Sequence, residues 1–149
     1  MSLEYIVSNE IQLISVARRI SSYISKDQII FFEGEVGSGK TTLIRYLLNE
    51  VSRTEKKTFF FQGSPTYQRE HIYNFNKFSI IHFDFYQVQN NKLDLDEYFN
   101  NNCIFVEWPL ENLIKRYSHM ALFVKILVVG KKRHIKIKSS NKKWLHKIR

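Results

Sequence analysis

A glycine-rich motif constrains the fold of this chain more than any other part of its sequence. Residues 34–41 read GEVGSGKT, a full match to the pattern G-x-x-x-x-G-K-[ST]. Residues 28–33 before it form a short apolar run typical of a buried strand, and residues 41–50 after it have the spacing of a helix. A strand, a glycine-rich loop and a helix in this order predict an α/β domain with a phosphate-binding loop, or P-loop.

The motif holds the residue types that phosphate binding needs. Glycines let the backbone bring N–H groups against phosphate oxygens, and the helix that follows points its positive end at the same anion. Lys40 can reach the β- and γ-phosphates, and the Thr41 hydroxyl can ligate Mg²⁺. Three of the five glycines in the chain, Gly34, Gly37 and Gly39, lie in this loop. The loop therefore predicts a site for a nucleoside triphosphate and Mg²⁺.

Length and composition favour one folded domain. The chain has 149 residues, 44% of them hydrophobic, with only 5 Gly and 2 Pro, so collagen-like and low-complexity classes are excluded. No apolar run approaches the ~18 residues of a membrane-spanning helix, and the first residues lack the apolar core of a signal peptide. The single cysteine, Cys103, cannot form an intrachain disulfide and is expected to be a small buried side chain. We expect one domain over residues 1–149, in the cytoplasm and without a membrane partner.

Alternating helical and strand patterns along the chain indicate a layered fold. Ser8 is expected to cap a first helix, whose apolar residues are Ile11, Ile14, Ala17, Ile20 and Ile24. Further strands are predicted over residues 59–61, 67–75, 78–86, 103–106, 121–129 and 134–138, and further helices over residues 93–99 and 110–117. This interleaving predicts a three-layer α/β domain, of the kind found in P-loop NTPases, with a mixed parallel and antiparallel sheet.

Two of the predicted strands end in a carboxylate. Asp84 closes the apolar run of residues 79–83, and Glu107 closes that of residues 103–106. Since residues at the carboxyl ends of strands line the ligand crevice of an open α/β sheet, both side chains are candidates for the site. A P-loop needs one carboxylate to hold Mg²⁺ and another group to orient water. The residues leave open which carboxylate has which role.

Several other residues have both a functional and a structural interpretation. Ser64 and Thr66 flank Pro65 in a loop, and their hydroxyls fit a switch loop that senses the γ-phosphate as well as an ordinary turn. Trp108, adjacent to the second carboxylate, fits packing near a nucleotide as well as core packing. His82 lies on an apolar strand, where we expect a hydrogen-bonded structural histidine rather than a catalytic one.

Basic residues are concentrated at the C-terminal end. The chain has 23 Lys and Arg against 14 Asp and Glu, a net charge of +9. The last acidic residue is Glu111, and residues 112–149 carry twelve basic side chains, which leaves a net charge of −3 for the rest (9 − 12). This asymmetry predicts a polyanionic partner for that end, which includes the basic tail at residues 139–149. A bias toward A/T-rich codons, which favours lysine throughout, is the alternative explanation.

In their order along the chain, four motifs resemble the TsaE family of small bacterial P-loop ATPases, which are needed to make threonylcarbamoyladenosine in tRNA. The motifs are EGEVGSGKTT at residues 33–42, SPTY at 64–67, HFDFY at 82–86 and VEWP at 106–109. The resemblance covers nearly the whole chain, from Ser8 to Lys138. The last three motifs are far more specific than the first, because P-loops occur in many families.

The resemblance implies a role for each matching residue. It implies ATP and Mg²⁺ as the bound groups, with Thr41, Asp84 and Glu107 as the metal-binding residues. The catalytic residues that it implies are Lys40, Asp84, Glu107 and, in the switch loop, Thr66. The residues that it implies at the nucleotide are Glu35, Val36, Gly37, Ser38, Gly39, Lys40, Thr41, Thr42 and Trp108.

The resemblance also implies partners. Members of the family act in an assembly with TsaB and TsaD, and TsaD transfers the threonylcarbamoyl group to the adenosine next to the tRNA anticodon. ATP hydrolysis by the TsaE member supports turnover of that assembly, so slow, partner-dependent hydrolysis is expected here. Contact with tRNA is expected either directly or through the assembly, and the sequence leaves self-association open.

Three features depart from the family pattern, and two other functions compete with it. Gln87 stands where the family usually has arginine, and residues 139–149 match no family motif. The segment between Tyr86 and Glu107 is also short and lacks the glycine expected before residues 96–99. A small-molecule P-loop kinase is the first alternative, although the sequence has no obvious arginine-bearing lid insertion. A nucleotide-gated RNA-binding module that uses the basic C-terminal region is the second.

Overall fold

The computed structural model describes residues 2–65 and 69–148. Its strands are β1 (Ser2–Val7), β2 (Gln28–Glu33), β3 (Glu70–Asn74), β4 (Ser79–Asp84), β5 (Asn102–Glu107), β6 (Leu122–Val129) and β7 (Lys132–Ser139). Its helices are α1 (Glu10–Ser21), α2 (Lys40–Glu55), α3 (Glu111–Tyr117) and α4 (Lys142–Ile148), with one turn of 3-10 helix at Asp96–Tyr98. None of the helices in the described ranges has the length and apolar character that crossing a membrane requires.

The seven strands form one sheet in the order β1-β7-β6-β2-β5-β4-β3. Four adjacent strands, β6, β2, β5 and β4, run parallel. The outer strands pair antiparallel, β3 with β4, β7 with β6, and β1 with β7. Because β2 lies inside the parallel set, the loop after it emerges at the middle of the carboxyl edge, where an open α/β sheet holds its ligand. The prediction of a mixed sheet is confirmed.

Apolar side chains cover both faces of the sheet. Helices α1, α2 and α4 pack on one face, over a core that includes Ile20, Leu47 and Phe105. Helix α3 and the 3-10 turn pack on the other, over a core that includes Phe31 and Leu113. Strands β2 and β5 contribute to both cores because alternate residues of a strand point to opposite faces, and such doubly buried strands are almost continuously apolar. The predicted three-layer α/β architecture is therefore confirmed.

Helix α1 begins one residue later than the sequence predicts. Asn9, not Ser8, is the N-cap, because its backbone is extended and its Oδ1 accepts from the Gln12 N–H at 2.9 Å. The Gln12 side chain in turn accepts from the Ser8 N–H at 2.6 Å, so the two side chains bond reciprocally across the helix start. The predicted apolar stripe is wrong at Ile11, which is 79% exposed. At about 100° per residue, Ile11 lies on the side of the helix opposite the buried Ile20.

The connection between α2 and β3 does not contain the strand predicted over residues 59–61. The burial of its phenylalanines alternates for another reason, since Phe59 and Phe61 pack on the Tyr73 ring while Phe60 is 85% exposed. The Gln62 N–H donates to the Tyr73 hydroxyl at 2.9 Å, so a side chain takes the place of a strand partner. A strand-like pattern thus arises here from packing on one aromatic side chain.

The two ends of the chain hold elements that the sequence analysis misses. Strand β1 pairs with β7 along its whole length. Helix α4 covers most of the segment interpreted as a basic tail, and it buries Leu145 and Ile148 while its lysines remain exposed. The helix predicted over residues 93–99 is shorter than expected, because only the 3-10 turn forms there.

Candidate nucleotide site

The P-loop conformation depends on glycine at two positions. Gly34 has a φ of +153°, and a Cβ added there would lie 2.7 Å from the Ile126 carbonyl oxygen and 2.6 Å from Ser38 Oγ. Gly39, with a φ of +110°, is the N-cap of α2 and has no side chain to bond the first N–H groups of that helix. An anion at this helix start would accept hydrogen bonds from those N–H groups. The loop therefore leaves the start of α2 without a side-chain cap, which is the arrangement expected if it binds an anion.

Lys40 lies inside the loop that it follows. Its Nζ donates to the Gly34 carbonyl at 2.6 Å and to the Glu35 carbonyl at 3.0 Å. The same Nζ lies 4.3 Å from the centroid of the Trp108 ring, a cation–π distance. Burial lowers the pKa of the Lys40 ammonium below its ordinary value, and the carboxylates of Glu107, Asp84 and Glu35 offset this only in part. The site thus holds a partly desolvated positive charge at its centre.

The two candidate carboxylates are neighbours. Asp84 ends β4 and Glu107 ends β5, and the parallel register places them side by side. Both are buried, and each is held by a hydroxyl group. Thr41 Oγ1 donates to Glu107 Oε1 at 3.0 Å, which ties the start of α2 to the end of β5. Ser64 Oγ lies 2.6 Å from Asp84 Oδ2 and 3.4 Å from Glu107 Oε2, so the predicted switch loop reaches between the carboxylates.

The oxygen atoms of Thr41, Glu107 and Asp84 fit Mg²⁺ better than they fit a metal ion that is ligated by protein side chains alone. Across residues 2–65 and 69–148 there is no cluster of three or more His, Cys, Asp or Glu side chains suited to a metal. Mg²⁺ is commonly held by one or two carboxylates, with phosphate oxygens and water as the remaining ligands. Thr41 and Glu107, already within hydrogen-bond distance of each other, offer two adjacent oxygens beside the P-loop. Asp84 offers a second carboxylate on the adjacent strand β4.

A cavity of about 370 Å³ lies beside the P-loop, on the side of α1 and the β6–β7 turn. Its polar lining residues are Ser8, Asn9, Glu10, Ser38, Thr42, Tyr46, Lys131 and Arg133. Arg133 Nε donates to the Ser38 carbonyl at 2.9 Å, which fixes the β7 strand to the P-loop. Of these lining residues, only Ser38 and Thr42 are predicted from the sequence to belong to the site. For Lys131 and Arg133 the only signal in the sequence is the run of basic residues after Gly130. That run does not indicate on its own that the β6–β7 turn lies beside the P-loop.

The structure brings most of the predicted site residues to one place. Lys40, Thr41, Asp84, Glu107 and Trp108 all lie where β2, β4 and β5 end. Of the other predicted nucleotide residues, those at positions 35–39 form the loop between β2 and α2, where Val36 is exposed, and Thr42 lies in the first turn of α2. Thr66 lies outside the described residues. No role in binding or catalysis follows from placement alone, so these assignments stay predictions.

Gln87, which stands where the resemblance predicts an arginine, and the buried His82 both lie near the predicted site residues. Gln87 has a positive φ of 59° and lines a second cavity of about 490 Å³ with Trp108. Beside it, Arg69 Nη1 lies 3.4 Å from the Tyr86 carbonyl, so an arginine from the start of β3 reaches the position next to Gln87. His82 is fully buried, and its Nε2 lies 2.6 Å from Glu107 Oε2.

Comparison with known proteins identifies the family. A family model described as "Threonylcarbamoyl adenosine biosynthesis protein TsaE" matches residues 7–143. Several relatives carry the name "tRNA threonylcarbamoyladenosine biosynthesis protein TsaE". The one from Rickettsia felis is 25% identical over 107 residues, covering 69% of this chain and 60% of its own length. The one from Aquifex aeolicus is 27% identical over 105 residues, covering 70% of this chain and 75% of its own length.

For some relatives the match covers less than two thirds of the relative's own length. It covers 60% of the Rickettsia felis protein and 64% of the Rickettsia prowazekii protein. A crystal structure of Bacillus subtilis YdiB superposes with a TM-score of 0.74 at 21% identity, covering 99% of this chain and 91% of that one. At that identity the likeness shows a shared fold.

Proposed function

The chain belongs to the TsaE family, and we propose that it binds ATP with Mg²⁺ and hydrolyses it to support the synthesis of threonylcarbamoyladenosine in tRNA. The observation that carries this proposal is the hydrogen bond between Thr41 of the P-loop and Glu107 at the end of β5, with Asp84 beside them. A hydroxyl and two carboxylates next to a phosphate-binding loop are the groups that P-loop hydrolases use.

The start of α2 and the cavity next to it together suit a nucleotide. Its phosphates would accept hydrogen bonds from the uncapped start of α2, and its nucleoside would occupy the 370 Å³ cavity that adjoins Ser38, Gly39 and Thr42. Lys131 and Arg133 at that cavity add positive charge near the phosphates, while the acidic residue of its lining, Glu10, accepts a hydrogen bond from the Tyr46 hydroxyl. Lys40 would exchange the Gly34 and Glu35 carbonyls, its present acceptors, for phosphate oxygens.

The two carboxylates divide into two roles. Thr41 and Glu107 would hold Mg²⁺, because their oxygens are already adjacent at the loop. When bound, the metal ion neutralises charge on the phosphates. Asp84 would orient the attacking water, since it lies one strand away from the Thr41–Glu107 pair and its Oδ1 is fixed by the Tyr86 N–H at 2.8 Å.

Partner-dependent activity has a physical basis at Ser64. Its hydroxyl lies between the two carboxylates, 2.6 Å from Asp84 and 3.4 Å from Glu107, which is where a water would have to be held. The segment that carries Ser64 must therefore move before hydrolysis proceeds. We infer that docking to counterparts of TsaB and TsaD moves it, and that tRNA reaches the protein directly or through this assembly.

The test is hydrolysis of ATP by the protein alone and with its TsaB and TsaD counterparts and tRNA. We expect slow release of inorganic phosphate by the protein alone and stimulation by the partners. Lys40→Ala should abolish both, because the ammonium next to the phosphates is lost. Transfer of the γ-phosphate to an acceptor other than water would contradict the proposal in favour of a kinase. Salt-sensitive tRNA binding that survives Lys40→Ala, without hydrolysis under any condition, would favour an RNA-binding module.

A further inference from the structure

We propose that His82 is a positioning residue that fixes the orientation of the Glu107 carboxylate in the candidate site. This inference rests on the proposed function, since it concerns the residue assigned there to hold Mg²⁺. From the sequence His82 is expected to be a structural residue, and the contacts of its ring indicate a more specific role.

The only polar contact of the His82 ring within the described residues is with Glu107. Its Nε2 lies 2.6 Å from Glu107 Oε2, and its Nδ1 has no hydrogen-bond partner among residues 2–65 and 69–148. An ionised carboxylate only accepts hydrogen bonds, so with Glu107 ionised Nε2 is the donor in a short, charge-assisted bond. Burying an imidazole is costly unless its polar atoms are bonded. In this fully buried ring, the one nitrogen with a hydrogen-bond partner in the described residues is bonded to a single oxygen of the Glu107 carboxylate.

The Glu107 carboxylate needs such a contact to stay in place. The last torsion of a glutamate side chain is broad and roughly two-fold, so the backbone and the Cβ do not fix the direction of its oxygens. In the structure the two oxygens have different partners: Oε1 accepts from Thr41 at 3.0 Å, whereas Oε2 lies 2.6 Å from His82 Nε2 and, at the longer distance of 3.4 Å, near the Ser64 hydroxyl. With Oε2 held by a rigid ring on β4, Oε1 remains aimed at the start of α2.

The strand register explains why position 82 can do this. His82 and Asp84 point to the same face of β4, and Glu107 pairs with Asp84 on the adjacent parallel strand. The carboxylate of Glu107 therefore lies above the ring of His82, on the face covered by α2. On the other side of His82, the His71 ring of β3 lies at a centroid distance of 6.5 Å and bonds the Gly63 carbonyl instead. His71 makes no contact with Glu107 that would replace the His82 bond.

Two substitutions separate a positioning role from a packing role. His82→Phe keeps a planar ring but removes the donor, whereas His82→Gln supplies an amide N–H close to the position of Nε2. Tyr23→Phe is the matched control, because it removes another buried polar contact, the bond from the Tyr23 hydroxyl to the Met120 carbonyl at 3.2 Å, away from the site. Each variant is compared for melting temperature, ATP hydrolysis and the Mg²⁺ dependence of ADP binding. The fluorescence of Trp108 in a Trp144→Phe background reports that binding.

We expect His82→Phe to raise the Mg²⁺ concentration for half-maximal binding and to lower kcat, each by about 10–100-fold, the range found when a partner behind a metal ligand is removed. His82→Gln should recover most of both losses, and Tyr23→Phe should change only the melting temperature. Metal-free ADP binding should be unchanged in every variant.

The inference is overturned if His82→Phe keeps the wild-type Mg²⁺ dependence, or if His82→Gln is as defective as His82→Phe. It is also overturned if Tyr23→Phe shifts the Mg²⁺ dependence equally. If the wild-type protein shows no Mg²⁺-dependent nucleotide binding, the proposed function fails as well. If the wild-type protein binds and hydrolyses ATP and His82→Phe is unaffected, only the role of His82 fails.

Discussion

Replacing Gly34 with alanine tests the P-loop conformation most directly. The backbone of Gly34 has a φ of +153°, which alanine adopts only under strain of about 1–3 kcal/mol. The new Cβ would also lie 2.7 Å from the Ile126 carbonyl oxygen, a backbone atom that moves only if strand β6 moves. Overpacking of this kind costs about 1–3 kcal/mol. Together the two effects should lower the free energy of unfolding by about 3 kcal/mol or more.

A thermal melt with a matched glycine variant checks this value. At roughly 2–4 °C per kcal/mol for a chain of this size, Gly34→Ala should melt about 6–12 °C below the wild type. Gly130→Ala also places alanine at a positive φ, +61°, but with no atom within 4 Å of the new Cβ. It should lose only about 1 kcal/mol, the cost of the left-handed backbone alone. A Gly34→Ala protein that melts within about 2 °C of Gly130→Ala and binds ATP normally would refute the packing described for this loop.

Three further substitutions test other parts of the structure. Asn9→Ala should lower the free energy of unfolding by about 1 kcal/mol because it removes the α1 cap, whereas Ser8→Ala should change it little. Denaturant unfolding measures both values, and the reverse order would mean that Ser8 is the cap. Leu145→Ala should cost about 2–5 kcal/mol because α4 buries that side chain, whereas Lys143→Ala on the exposed side should change little; equal effects would mean that α4 does not pack as described. The Arg116 guanidinium and the Tyr117 hydroxyl lower the pKa of Asp96 to about 2 from 3.8, so its contribution to stability is present above pH 3.8 and lost as pH falls toward 2. Asp96→Asn should therefore melt lower than the wild type at neutral pH and converge with it near pH 2; a gap independent of pH would contradict that pairing.

The parts of the fold that the sequence predicts well are those with strong local patterns. Three different signals predict the segment from β2 to α2: a short apolar run for the strand, a glycine-rich motif for the loop and a helical spacing for the helix. All three agree with the structure. The run that ends at Glu107 is just as clear, because β5 is buried on both faces and is therefore apolar throughout. Cys103 on that strand is buried, as expected.

The parts that the sequence does not predict depend on contacts between distant residues. The alternation at Phe59–Phe61 comes from packing on Tyr73 rather than from a strand, and the basic segment after Ser139 becomes a helix because Leu145 and Ile148 reach the core. The cavity beside the P-loop is made by residues from both ends of the chain, such as Asn9 and Arg133. No local pattern indicates that these residues meet. The short bond between His82 and Glu107 is likewise a product of the register of β4 and β5.

Hydrolysis of ATP by the Glu107→Gln protein, measured with the TsaB and TsaD counterparts and tRNA present, tests the central claim most directly. The amide keeps the size of the side chain and an oxygen for Thr41, but it removes the charge that Mg²⁺ requires. The account predicts that the wild-type protein releases phosphate in a partner-dependent way. It also predicts that Glu107→Gln still binds ATP and that its kcat falls by about 100-fold or more, as expected for the loss of a group that stabilises the transition state. Hydrolysis at the wild-type rate by Glu107→Gln would contradict the assignment of this edge of the sheet as the site of ATP hydrolysis.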